Sequence, residues 1–232
     1  MLTKTEKSFS LIYFIIVLAE LVFGNSERLH ALHYVSKPAI LTTLIIFFVT
    51  RSNHLNKTLR LMTLFALLFS LLGDIELMYA QRDELYFIFG LVAFLASHVM
   101  YTFVFLKNRD PEKKPFPFIA ILLLFAVGLL FTIYEGLGNL TVAVITYMLV
   151  ILTMVTTAYL RKETGTRNSY YLIFSGALLF MLSDSILAID KFHEPLPFSH
   201  ISIMFTYALA QYCIVLGLLK SRDKVEILQK TT

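Results

Sequence analysis

The stretch LLFMLSDSILAID, residues 178–190, sets Asp184 deep in an apolar run that otherwise reads as a membrane span. A carboxylate at the centre of such a helix costs about 2.5–3.5 kcal/mol on insertion scales, so it is a functional candidate by default. Two questions follow from this one stretch: whether the rest of the chain also belongs in a membrane, and what Asp184 does there.

Composition answers the first. Of 232 residues, 57% are hydrophobic and only 16% charged, and the mean hydropathy is +0.73, well outside the balance of a soluble domain. The single cysteine, Cys213, lies in an apolar run without a second thiol, which excludes both a disulfide framework and a thiolate metal cage. Lys4 and Lys7 precede an apolar segment, as in a signal peptide. Glu20 interrupts that segment and no small-residue cleavage motif follows, so it reads as a retained first span.

Crossing the hydrocarbon core takes about 20 apolar residues. The sequence offers eight such spans, at 8–24, 34–50, 59–79, 85–106, 116–134, 139–160, 169–189 and 199–219. The expected fold is therefore all-α: a polytopic membrane protein of eight transmembrane helices forming a single integral membrane domain over 1–232. Basic residues alternate between connections. Lys4 and Lys7, then Arg51, Lys57 and Arg60, then Lys107, Arg109, Lys113 and Lys114, then Arg161, Lys162 and Arg167, and finally Lys220, Arg222, Lys224 and Lys230 fall on one side. The other side carries Arg28, Arg82 and Lys191, so the positive-inside rule predicts cytoplasmic termini. The net charge of +4 thus describes topology, with the basic residues as solvated anchors, and implies no nucleic-acid partner.

An internal echo points to two parallel four-helix halves. Ala66-Leu67-Leu68-Phe69 precedes Gly73-Asp74 in the third span, and Ala177-Leu178-Leu179-Phe180 precedes Ser183-Asp184 in the seventh. Repeats of this kind place sites at their interface; chance likeness between apolar helices is the alternative.

The ionisable groups within spans are Glu20, Lys37, Asp74, Glu76, His98 and Asp184. At a rise of about 1.5 Å per residue, Asp74 and Asp184 lie at similar depth, roughly 8 Å inside the outer ends of their spans. Lys37 begins the second span near that level, while His98, Tyr101, Tyr147, Tyr207 and Gln211 lie deeper. The set describes a polar pocket. Two carboxyls sharing a site push their pKa values apart, which prepares an acid and a base. The plain readings are a buried ion pair with Lys37, a lysine that snorkels with Pro38 tolerated in the first turn, solvated Glu20 and Glu76, and tyrosines that serve as interhelical glue.

No phosphate loop, G-x-S-x-G elbow or H-E-x-x-H helix is present. His30, His33, His193 and His200 fall in outer connections and could join an aspartate around zinc, although their spacing is loop-like.

Several segments resemble the YhhN-like lysoplasmalogenase family, membrane enzymes that cleave the vinyl ether of lysoplasmalogens. They are Lys37-Pro38, LLGDIELM around Asp74, GLVAFLASHVMY with His98 and Tyr101, Tyr147, GALLFMLSDSILAIDKF around Ser183 and Asp184, and YALAQ with Tyr207 and Gln211. Glu76 departs from the apolar residue that the resemblance leads one to expect. The resemblance implies an alkenyl ether hydrolase without a cofactor or metal, acting on a lysophospholipid within the membrane. Protonation of the alkene carbon gives an oxocarbenium ion, water attacks it, and the hemiacetal collapses to a fatty aldehyde and a glycerophospholipid headgroup product. It further implies Asp74 and Asp184 as acid and base, with the assignment between them open. Lys37 would contact the phosphate or tune the pair, with Ser183, His98, Tyr101, Tyr147, Tyr207 and Gln211 around glycerol and water. For a bacterial chain the location is the inner membrane. A transporter or lipid-binding protein, and a zinc-dependent lipid amidase or esterase, are the rival readings.

Overall fold

The computed structural model describes residues 3–161 and 167–221. These residues form helices α1 (Lys4–Gly24), α2 (His30–Arg51), α3 (Lys57–Leu77), α4 (Glu84–Leu106), α5 (Phe116–Ile133), α6 (Thr141–Tyr159), α7 (Arg167–Phe192) and α8 (Ser199–Leu219), with no strand among them. Lys162, Arg222, Lys224 and Lys230 of the basic connections lie outside the described residues.

Local chemistry starts several of these helices. Thr3 accepts from the Glu6 amide while Glu6 reaches back to the Thr3 amide, a capping box at α1. Asn56 and Asp83 cap α3 and α4 through their side-chain oxygens. α2 begins at His30, four residues before the apolar signal does, and so His33 and Lys37 are helical and Pro38 sits in the helix interior rather than the first turn. A proline there removes one i to i−4 bond and leaves the Tyr34 carbonyl without it.

Seven helical segments are long and apolar enough to cross a membrane. One of them, Phe116–Tyr159, is 44 residues long. As one rod it would measure about 66 Å, twice a hydrocarbon core of about 30 Å. The turns Tyr134–Gly136 and Gly138–Leu140 divide it into α5 and α6, and Gly138 takes the positive φ of 48° that the reversal needs.

The helices pack as a ring. α1 packs on α2, α2 on α3, α3 on α4, α4 on α6, α6 on α7, α7 on α8, and α8 closes on α1 and α2. α5 stands outside the ring against α6 and α7. Its outward residues Leu124, Val127 and Phe131 are exposed, as are Leu11, Ile15 and Leu18 of α1. The closest packing uses glycine. A Cβ on Gly176 of α7 would lie 2.9 Å from the Ala210 carbonyl oxygen of α8, and Ser169 Oγ donates to the Gly217 carbonyl at 2.7 Å. Gly73 and Gly90 do the same between α3 and α4. The pairings α2 with α3, α3 with α4 and α2 with α8 recur four helices on as α6 with α7, α7 with α8 and α6 with α4.

At the end of the bundle bearing the 107–114 connection, Lys113 Nζ donates to the carbonyls of Tyr159 (3.3 Å) and Arg161 (2.7 Å). Arg161 is not a solvated anchor: it is 1% exposed, and its guanidinium donates to the Val104 carbonyl.

Candidate active site

Met181, Asp184, Ser185, Ala188 and Phe192 recur three and four residues apart, and so share one face of α7. That face lines a cavity closed by Phe87, Leu91 and Phe94 of α4 and by Val144, Tyr147, Met148 and Ile151 of α6, with Leu77 of α3 and Leu129 of α5 at its edges. It holds roughly 590 Å³ of empty space, its open mouth included. The walls are hydrocarbon almost throughout. Within them Tyr147 Oη donates to Asp184 Oδ2 at 2.5 Å, and His98 Nε2 lies 3.6 Å from the same oxygen. His98 is fully buried, and neither ring nitrogen has a hydrogen-bond partner among the described residues. An unpaired buried imidazole next to a carboxylate in a cavity is suited to hold a water or a polar group of a ligand.

Asp74 stands in a second setting. It is 2% exposed and accepts from Tyr207 Oη at 2.8 Å. Lys37, also buried, acts on it electrostatically but makes no direct ion pair with it. One turn further along both helices, Gln211 Nε2 donates to Ser70 Oγ at 2.9 Å. The pairs Asp74 with Tyr207 and Ser70 with Gln211 run in opposite directions, so α3 and α8 are antiparallel here. Tyr101 Oη donates to Gln211 Oε1 at 2.6 Å, and the Ser70 and Ser97 hydroxyls are 2.7 Å apart. This second network ties α3, α4 and α8 together with its amide and hydroxyls satisfied.

The two carboxylates make no hydrogen bond with each other. The Phe180 ring packs edge-on against both His98 (4.6 Å) and Tyr207 (5.4 Å), and Phe94 packs against Tyr207 and Phe180. Asp74 and Asp184 are thus linked through their partners, Tyr207 and His98, which both pack on the Phe180 ring. Of the expected residues, Tyr147 and His98 join Asp184, Lys37 and Tyr207 join Asp74, and Tyr101 and Gln211 join the interhelical network. Ser183 is 1% exposed and donates to the Ile203 carbonyl at 2.9 Å, a tie between α7 and α8. Ser70, Ser97, Phe94 and Phe180 escape a reading of ionisable groups; the spacing of Ser70 and Asp74 on one helix face is the signal that could have found the first.

Glu20 is a correction. Solvation was the expectation, yet it is fully buried. Its Oε1 contacts His33 Nδ1 at 2.7 Å and His200 Nε2 at 3.4 Å, and Ser36 Oγ donates to its Oε2 at 2.5 Å. Of the four outer histidines, His33 and His200 therefore meet a glutamate rather than an aspartate. His30 stacks on His33 and packs edge-on against Tyr34, and His193 lies elsewhere, beside Tyr134 and Glu135.

The sequence model of the YhhN family matches residues 32–218. The chain is 32% identical over 165 residues to lysoplasmalogenase TMEM86A of Bos taurus, which is 69% of this chain and 66% of that protein. It is 32% identical over 158 residues to lysoplasmalogenase TMEM86B of Homo sapiens, 67% of this chain and 62% of that protein. A lysoplasmalogenase of Mycobacterium bovis is 28% identical over 142 residues, 59% of this chain and 52% of that protein. The chain thus spans just under two thirds of the length of the mammalian relatives it matches. No solved structure shows a significant match.

Proposed function

Since the chain belongs to the YhhN family, we propose that it is an integral membrane hydrolase cleaving the vinyl ether bond of lysoplasmalogens. The observation that carries this reading is Asp184 in an apolar cavity, with Tyr147 at 2.5 Å and His98 at 3.6 Å. Vinyl ether hydrolysis asks for a proton donor in hydrocarbon surroundings and a place for one water, and this group offers both.

In the proposed mechanism the Asp184 carboxylic acid gives its proton to the outer alkene carbon. The adjacent carbon becomes an oxocarbenium ion, stabilised by the carboxylate so formed. Water held by His98 attacks that carbon and loses a proton to Asp184, which restores the acid. The hemiacetal then breaks its carbon–oxygen bond to the glycerol as Asp184 protonates the glycerol oxygen and takes up the hemiacetal hydroxyl proton, releasing fatty aldehyde and the glycerophospho headgroup product. Tyr147 fixes the carboxylate for both transfers. Asp74, with Tyr207 and Lys37, is the second carboxylate of the scheme. Its place behind Phe94 and Phe180 favours an electrostatic part in the reaction, with Lys37 toward the lipid phosphate.

The proposed topology has eight spans in one membrane domain, α5 and α6 each crossing once, and both termini on the cytoplasmic side. The alternation of basic connections supports it, and the recurring helix pairings support two parallel halves. In a bacterium the inner membrane would be the location. The same recurrence suits a transporter.

Aldehyde release by the purified protein from a lysoplasmalogen and from its ester-linked counterpart tests the proposal. Release from the vinyl ether alone, abolished in Asp184→Asn, is the expected result. No release from either lipid by folded protein would overturn it and leave transport or lipid binding.

A further inference from the structure

Away from the cavity, at the end of the bundle where α1 finishes and α2 and α8 begin, Glu20, His33 and His200 converge from three helices. Their ligand atoms all lie within 4.8 Å of one another. We propose that these three side chains bind a divalent transition-metal ion of the zinc type, which fastens α1 to α2 and α8.

Four observations carry the proposal. The first is the donor set: two imidazole nitrogens and one carboxylate oxygen are ligands that zinc accepts, with the fourth tetrahedral position left to water. The absence of further oxygen ligands argues against calcium or magnesium. The second is spacing. Bonds of about 2.0–2.2 Å in a tetrahedron set ligand atoms about 3.4 Å apart, and His200 Nε2 already stands 3.4 Å from Glu20 Oε1. His33 Nδ1, at 2.7 Å, needs only a small ring movement to reach it. The third is an orphan: both ring nitrogens of His200 are enclosed and have no hydrogen-bond partner among the described residues. Burial of such a group is costly unless something else satisfies it. The fourth is the support around the ligands. Ser36 Oγ holds the other oxygen of Glu20 at 2.5 Å, as groups behind a metal ligand do. Gly24 leaves the space that the His200 ring occupies, since a Cβ there would collide with it.

A metal also offers an account of a carboxylate that is fully buried at the end of a span. His33 and Ser36 give it hydrogen bonds, whereas a dication would neutralise it outright. The ion would join residues 20, 33 and 200, closing a loop over most of the chain, and so restrict the unfolded chain as a cross-link does.

The test is metal content and stability of the purified protein in detergent, read without any activity assay. After chelation and reloading with zinc and then desalting, about one zinc per chain is expected. Cobalt(II) in its place should give the intense visible bands of a tetrahedral ion. Reloading should raise the melting temperature. His200→Asn should lower zinc affinity by at least about tenfold and abolish the cobalt bands and the thermal shift, while His193→Asn, outside the cluster, should keep all three. No retained zinc and no cobalt bands in the wild-type protein would overturn the proposal, as would zinc held equally well by His200→Asn. The cobalt spectrum of the wild-type protein decides the matter even if His200→Asn fails to fold.

Discussion

Tyr147 on α6 donates a 2.5 Å hydrogen bond to the carboxylate of Asp184 on the neighbouring α7. The bond joins two helices and also aims one oxygen of the carboxylate, and the two roles can be separated experimentally.

Tyr147→Phe keeps the ring that packs edge-on against His98 and deletes only the hydroxyl. A hydrogen bond to a charged group is worth about 1.5–3 kcal/mol, so the turnover number on a lysoplasmalogen should fall by about 10- to 100-fold. The Michaelis constant should change little. An unchanged turnover number in steady-state kinetics would remove Tyr147 from the mechanism.

Tyr207→Phe strips Asp74 of its hydrogen-bond donor while both remain buried. The variant should lose about 1–3 kcal/mol of stability, visible as a lower melting temperature in detergent. Combined with Asp74→Asn, the two losses should fall short of additivity, because the second change removes the carboxylate that the first left unpaired. Additive losses would show that the two side chains do not act on each other.

Gln211→Leu keeps much of the side-chain volume, orphans the Tyr101 hydroxyl and leaves Ser70 with Ser97 as its partner. One buried hydroxyl without a partner and one lost bond to Ser70 should together cost about 2–4 kcal/mol, more than Ser97→Ala, which leaves Ser70 its bond from Gln211. Thermal unfolding of the two variants side by side checks the order.

Gly176→Val drives a side chain into the backbone of α8, where even a Cβ would lie 2.9 Å from the Ala210 carbonyl oxygen. The cost should be about 1–3 kcal/mol. Gly128→Ala on α5 meets nothing within 4 Å, and should be neutral or stabilising by up to about 1 kcal/mol. Equal melting temperatures for the two variants would contradict the close packing of α7 on α8.

The helices were legible because hydrocarbon length shows in the sequence: the fifth apolar run, 116–134, becomes Phe116–Ile133, and the first, 8–24, becomes Lys4–Gly24. The start of α2 was not, because hydropathy reports depth in hydrocarbon and α2 continues past it through His30 and His33. The candidate residues were legible as polar groups inside spans. Their partners were not. Asp74 and Tyr207 are 133 residues apart, and equal depth gives no rotation about the helix axes. Rotation is what brings the partners of both aspartates onto Phe180 and turns Glu20 inward onto His200.

The hydrocarbon lining of the Asp184 cavity has a consequence for selectivity. Its walls are about as apolar as lipid tails, so an alkyl chain that moves in from the bilayer exchanges one hydrocarbon for another and gains no hydrophobic driving force. Chain length is then a weak discriminator by nature, limited to fit. For the lysoplasmalogen substrate proposed above, the free energy that distinguishes one lipid from another would come from the few polar contacts at the ether linkage and headgroup, where a misplaced oxygen is left without a partner.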